Sequence, residues 1–167
     1  MWRGLSSLKQ WVPEQGEICR YLLLRLLAST SEVPDVFFIT PFRQVKTELR
    51  SLLSAALNSS EQGIQALPRI RSRIGTVHTF QGKEADYVFL VLGCDSTKGG
   101  AADWAGQKPN LLNVAVTRAR RALYVIGDIN VWQNRGYFSD LQNALPVKVY
   151  NPGSERFEEV KKQNELF

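Results

Sequence analysis

Histidine occurs once in this 167-residue chain, methionine once and cysteine twice. The lone His78 and the widely separated Cys19 and Cys94, with no CxxC, leave no readable metal site or disulfide framework. A reducing cytoplasmic setting is the default expectation. No stretch of about 18 consecutive apolar residues is present, so no membrane-spanning helix is expected. The opening MWRGLSSLKQW lacks the apolar core of a signal peptide. A phosphate-cradling GxxxxGK[ST] loop is also absent: the only Gly-Lys pair, Gly82-Lys83, is followed by Glu84.

What remains is an ordinary globular composition, with 44% hydrophobic and 22% charged residues. The length suits one domain able to bury about 70% of the surface its unfolded chain exposes. Lys and Arg number 21 against 16 Asp and Glu, a net +5. That balance is compatible with a nucleic-acid partner, and equally with mild surface basicity.

Along the chain, residues 13–27 read as a helix, with Pro13 at a first helical position and Ile18, Leu22 and Leu26 forming a stripe. Val36 to Ile39 is a strand apolar on both faces, as a buried parallel strand requires. A second helix follows, with Val45, Leu49, Leu52 and Ala56 at helical spacing, and then a loop, NSSEQG. Arg73–Val77 is a short strand and Asp86–Gly93 a second strand apolar on both faces. Residues 95–108 read as a Gly-rich loop, 111–119 as a short helix, Ala122–Gly127 as a third buried strand and Val147–Tyr150 as an edge strand. The tail from Asn151 is polar and is expected to form a marginal helix or to fray. Strands alternating with helices predict an α/β sheet covered on both sides.

Three segments carry candidate chemistry. In ITPFRQ a buried strand ends in Thr40, Pro41, Arg43 and Gln44 before a helix. Thr40 suits a helix cap, and Arg43 could grip a phosphate. In TVHTFQGKEADYV, the residues Thr76, His78, Thr79, Gln81, Gly82, Lys83 and Glu84 follow a strand and are expected to gather beyond its carboxyl end, where ligands collect in open α/β sheets. His78 could equally be a hydrogen-bonded structural residue, Gly82 a turn glycine and Glu84 a solvated carboxylate. In NVAVTRARRALYVIGD, Arg118 and Arg120 would lie about 200° apart around a helix, and Arg121 nearly under Arg118 if the helix continued. The bland alternative is three charges at a helix end.

Together these segments resemble motifs IV, V and VI of the Upf-like branch of superfamily 1 helicases. VFFITPFRQ resembles motif IV. GTVHTFQGKEADYVFLV resembles motif V, with its QGxExD core complete as Gln81, Gly82, Glu84 and Asp86. NLLNVAVTRARRALYVIGD resembles motif VI with its VAxTRA core. The resemblance covers most of residues 12–145 and implies the second of that family's two RecA-like lobes, a three-layer α/β sandwich with a mostly parallel sheet. It places the lobe at residues 1–150 and a polar tail at 151–167. It implies Arg118 as an arginine finger, whose charge on a γ-phosphate is worth roughly 10³–10⁵ in rate, and Glu84 as the carboxylate accepting from the nucleotide ribose. Gln81 and Gly82 would line the same cleft, with Arg43 and Arg121 as further nucleotide contacts, while Thr40, Thr76, His78 and Thr79 would lie near single-stranded nucleic acid. ATP and Mg2+ would be shared with an N-terminal RecA-like lobe, and no metal ligand is expected in this chain.

The stretch WVPEQGE departs from the pattern, having no arginine between Trp11 and Glu17 where many members carry one. Glu84 follows a strand while Arg118 precedes one, an alternation that predicts opposite edges of the sheet for the two. Trp104 could stack on a base or pack over the sheet edge. Without a phosphate loop the chain alone is expected not to hydrolyse ATP. The competing functions are a stand-alone lobe that binds nucleic acid or a partner without catalysis, and an unrelated doubly wound nucleotide binder. The latter would need a glycine-rich turn after its first strand, and ITPFRQ has none.

Overall fold

The apolar runs form four parallel strands, in the spatial order Ile74–Thr76, Val36–Thr40, Ala85–Val91 and Ala119–Ile126. A computed structural model describes residues 10–80, 82–151, 154 and 156–159. In chain order the elements are α1 (Pro13–Ser29), β1 (Val36–Thr40), α2 (Arg43–Leu57), α3 (Glu61–Ser72), β2 (Ile74–Thr76), a 3₁₀ turn (Val77–Phe80), β3 (Ala85–Val91), a second 3₁₀ turn (Ser96–Lys98), α4 (Gly99–Gly106), α5 (Pro109–Arg118), β4 (Ala119–Ile126), α6 (Ile129–Trp132), α7 (Tyr137–Ala144), β5 (Lys148–Asn151) and β6 (Arg156–Glu159). The chain steps outward from β1 to β2 through α2 and α3, returns past β1 to β3, and continues to β4 through α4 and α5. Right-handed crossovers taken in opposite directions put their helices on opposite faces. Accordingly α1 and α3 pack on α2, and α5 packs on β3, β4 and the first 3₁₀ turn. This is the expected three-layer α/β architecture.

Aromatic rings tie the layers together. Phe38, Phe89 and Tyr124 occupy matched positions on neighbouring strands, with centroids 4.8 and 5.0 Å apart. On the other face Phe80 stacks on Phe37 at 4.2 Å. Phe37, Phe38, Phe80 and Phe89 are fully buried.

Helix α1 buries a stripe one residue along from that expected, whereas α2 buries the expected Val45 and Leu49 and shifts by one only in its second half. In α1 the buried positions are Gln15, Gly16, Cys19, Leu23 and Leu27, and in α2 they are Val45, Leu49, Leu53 and Leu57. Ile18, Leu22 and Leu26 are half-buried beside them. Adjacent residues are about 100° apart on a helix, so two neighbouring apolar rows share one broad face.

Other expectations change more. Residues 61–72 form α3, hidden in the sequence by Gly63 and Pro68. Gly63 is required there because a Cβ would collide with the Leu57 carbonyl. The Ser60 hydroxyl caps this helix by accepting from the Gly63 amide at 3.1 Å. Residues 95–108 contain the second 3₁₀ turn and α4 rather than a plain loop. Strand β4 is not buried on both faces: it lies outermost among the described strands, and Tyr124 is 38% exposed. Lys148–Asn151 does not extend this sheet but pairs antiparallel with β6, so the tail begins as a strand rather than as a helix. That hairpin leans on α1 through Tyr21, whose ring lies 5.5 Å from Tyr150 and 6.0 Å from Phe157. Among the described residues no helix is long and apolar enough to cross a membrane.

Phe89→Ala is expected to lower the unfolding free energy by about 3–5 kcal/mol in a urea titration. Tyr124→Ala, at the partly exposed end of the same ring ladder, should cost less.

Candidate functional site

The register of the sheet divides the candidate residues between its two edges. Thr40 and Thr76 are partners at the carboxyl ends of β1 and β2. Ala85 and Ala119 are partners at the amino ends of β3 and β4. Residues 77–84 therefore cross the full height of the sheet instead of gathering beyond one strand end. Phe80, on Phe37, anchors the crossing midway.

At the carboxyl edge, Thr79 Oγ1 accepts from the Thr76 amide at 3.1 Å, and the two hydroxyls are 3.5 Å apart. Gly75 permits this turn, since a Cβ there would lie 2.7 Å from the Thr79 side chain. His78 and Thr79 are exposed and Thr76 is half-buried. Thr40 is fully buried, and its hydroxyl accepts from the Phe42 amide at 3.3 Å. It braces the turn after β1 and does not cap α2, whose N-cap position is Phe42. Thr40 has no exposed surface at this edge. Arg43, expected among the nucleotide residues, is the exposed first residue of α2 and stands at this edge as well. Trp104 is 52% exposed, its ring 6.3 Å from Phe42 and 5.7 Å from the Lys108 ammonium.

The end of β3 is fixed at the same edge by Gln15, a buried polar side chain the sequence reading passed over. Its Oε1 accepts from the Gly93 amide at 2.8 Å, and its Nε2 donates to the Gly93 carbonyl at 3.4 Å. Trp132 Nε1 donates to the same carbonyl at 3.1 Å. Gly93 and Cys94 both adopt positive φ, 62° and 60°. Burial pushes the Cys94 thiol up to about 11, helped by the neighbouring Asp95 charge. Burial also raises the Cys19 thiol strongly. Neither serves as a thiolate nucleophile near neutral pH.

At the amino edge, Glu84 and Arg118 each stand one residue before a member of the Ala85–Ala119 pair. They are therefore neighbours at one edge, not opposed. The expectation failed because the chain has already returned across the sheet before Glu84, so Glu84 precedes its strand as Arg118 does. Glu84 is exposed and Arg118 is half-buried. Gly82 has φ 78° with nothing within 4 Å of a Cβ position, so backbone conformation alone demands glycine there. Gln81 lies outside the described residues.

The three arginines do not share one environment. Helix α5 ends at Arg118, and Ala119 is already extended (φ −86°, ψ 118°). Arg120 and Arg121 thus belong to β4 and are not helix-end charges. Arg120 Nη2 lies 2.8 Å from Asp35 Oδ2 and 2.9 Å from Asp86 Oδ1, and its Nε donates to Asp86 Oδ1 at 3.0 Å. Arg121 Nε lies 3.5 Å from Asp86 Oδ2. Arg69 and Arg73 approach Asp35 Oδ1 at 3.6 and 3.5 Å. By contrast, Arg118 Nε is buried with no hydrogen-bond partner among the described residues. Asp86 was legible as part of QGxExD, but Asp35 carried no sequence signal beyond its place before a strand. Among the described residues no cluster of three His, Cys, Asp or Glu side chains could hold a metal ion.

Residues 7–130 match a family model described as an AAA domain. The chain is 27% identical over 117 residues to regulator of nonsense transcripts 1 of Dictyostelium discoideum, a span of 70% of this chain and 8% of that protein. It is 30% identical over 116 residues to DNA polymerase alpha-associated DNA helicase A of Schizosaccharomyces pombe, a span of 70% of this chain and 16% of that protein. The chain thus spans well under a fifth of the length of either relative.

Gly82→Ala is expected to destabilise the chain by about 1–2 kcal/mol in thermal unfolding, the cost of a left-handed alanine. Gly82→Asn should cost less, since asparagine tolerates that conformation.

Proposed function

This chain belongs to the AAA domain family and corresponds to the C-terminal region of Upf-like superfamily 1 helicases, and on that premise we propose that it is the second motor lobe of an ATP-dependent helicase or translocase. In this reading its amino edge closes over ATP bound by a first lobe, and its carboxyl edge carries part of a single-stranded nucleic-acid track. The observation that carries it is the isolation of Arg118. Of the three clustered arginines, two are held by carboxylates, while the third is half-buried, its Nε has no partner among the described residues, and it precedes β4 as Glu84 precedes β3. A buried guanidinium nitrogen without an acceptor is costly, and turning the side chain out to a phosphate oxygen presented by a facing lobe would relieve that cost.

The roles are those that the motif resemblance implies, and the two edges divide them accordingly. Arg118 neutralises charge developing on the γ-phosphate, and Glu84 accepts from the ribose. Gly82 and Gln81 complete that border, and Arg121 adds positive charge beside it. Thr76, His78 and Thr79 face the nucleic acid, and Arg43, at their edge, suits a backbone phosphate there. ATP supplies the phosphoryl group, and the first lobe supplies the phosphate loop and the carboxylate for Mg2+.

In the complete two-lobe protein, Arg118→Ala is expected to cut ATP turnover about 10³-fold or more, with ATP affinity measured by fluorescence titration falling far less. Near-normal turnover would remove the arginine-finger role. The isolated chain is expected to release no phosphate from ATP above the buffer rate, and robust magnesium-dependent turnover by a clean preparation would contradict the half-site reading.

A further inference from the structure

Two residues of β4 oppose one residue of β3 at the amino edge. Ala85 pairs with Ala119, but the next pair is Tyr87 with Ala122. Only Asp86 lies between the first members, whereas Arg120 and Arg121 lie between the second. This is a β-bulge, and it aims two consecutive side chains at one partner. Both arginines reach Asp86, one at each carboxylate oxygen.

Arg120 reaches further. Its Nη2 also meets Asp35, the residue immediately before β1. One guanidinium therefore links the beginnings of β4, β3 and β1. Arg118 is only two residues earlier, separated by Ala119, where helix changes to strand in a single step. Fixing Arg120 leaves the Arg118 backbone little freedom relative to Glu84, which precedes the partner strand.

We propose that Asp86 and Arg120, acting through the bulge in β4, are positioning residues that set the place of Arg118 at the amino edge. This rests on the arginine-finger reading above. Arg120 is about half exposed (49%), and ion pairs at that exposure contribute little to stability. The pairing instead fixes geometry, because Nε on Asp86 and Nη2 on Asp35 tie two arms of one planar guanidinium and so restrict direction as well as distance. Misplacing a catalytic group by about 1 Å can cost about 10²-fold in rate.

A double-variant cycle on ATP turnover in the complete protein tests this, using Arg118→Ala, Asp86→Ala and the two combined. Asp86→Ala is expected to lower kcat about 10- to 100-fold with KM for ATP little changed. The combined variant should be no slower than Arg118→Ala alone. Asp86→Asn keeps an oxygen acceptor for the fork and should lose less, and it replaces Asp86→Ala in the cycle if the alanine protein does not fold. Arg120→Lys keeps the charge but not the fork and should retain part of the activity that Arg120→Ala loses. Wild-type kcat in the Asp86 variants, a change confined to KM, or an equal loss with and without Arg118 would overturn the positioning role alone. Near-normal turnover in Arg118→Ala would overturn the finger reading, and the positioning role with it.

Discussion

Asp35 and Asp86 hold the amino edge of the sheet. Backbone bonds from the Phe38 amide to Arg73 and from the Tyr87 amide to Asp35 begin the parallel ladders, and side chains join them there. Here two carboxylates gather four guanidinium groups, from the end of α3, from the residue before β2 and from the start of β4. Arg120 spans both carboxylates. The consequence is selective: the network absorbs the arginines on either side of it and leaves Arg118 outside. Among the described residues a run of arginines is thereby sorted into two that are ion-paired and one, Arg118, that is not, which is the property the proposed finger requires.

The second constraint is the crossing made by residues 77–84. It runs from Thr76, beside Thr40, to Ala85, beside Ala119. The proposed nucleic-acid residues lie at its start and the proposed nucleotide residues at its end. Phe80 on Phe37 pins its middle to the core. A segment this short, anchored in a close-packed interior, has little room to absorb a displacement at one end. In the proposed motor it is the shortest covalent path between track and nucleotide.

Much of this was legible in the sequence. Strands apolar on both faces announced a parallel sheet, and β1 and α5 lie close to where their patterns placed them. The motif cores identified the residues that gather at the two edges. What escaped has physical causes. The buried stripe of α1, and the second half of that of α2, are displaced by one because two adjacent rows are apolar, and periodicity alone does not choose between them. Helix α3 was hidden by Gly63, which is there for a close approach to Leu57. The outward side of β4 reads as apolar, yet it lies at the end of the strand order, and strand order is not written in local pattern. The fate of Arg120 and Arg121 depended on where α5 stops and on a one-residue bulge, both tertiary outcomes. Gln15, a polar residue in an apolar helix, was the one visible signal left unused: a buried amide needs partners, and it finds them on Gly93.

The most direct test of the central claim is a structure of the two-lobe protein bound to ADP and a metal-fluoride mimic of the transferring phosphoryl group. The account predicts the Arg118 guanidinium within hydrogen-bonding distance of the mimic, with Arg120 still on Asp35 and Asp86. Arg120 or Arg121 released from Asp86 to the mimic, with Arg118 turned into its own lobe, would contradict it.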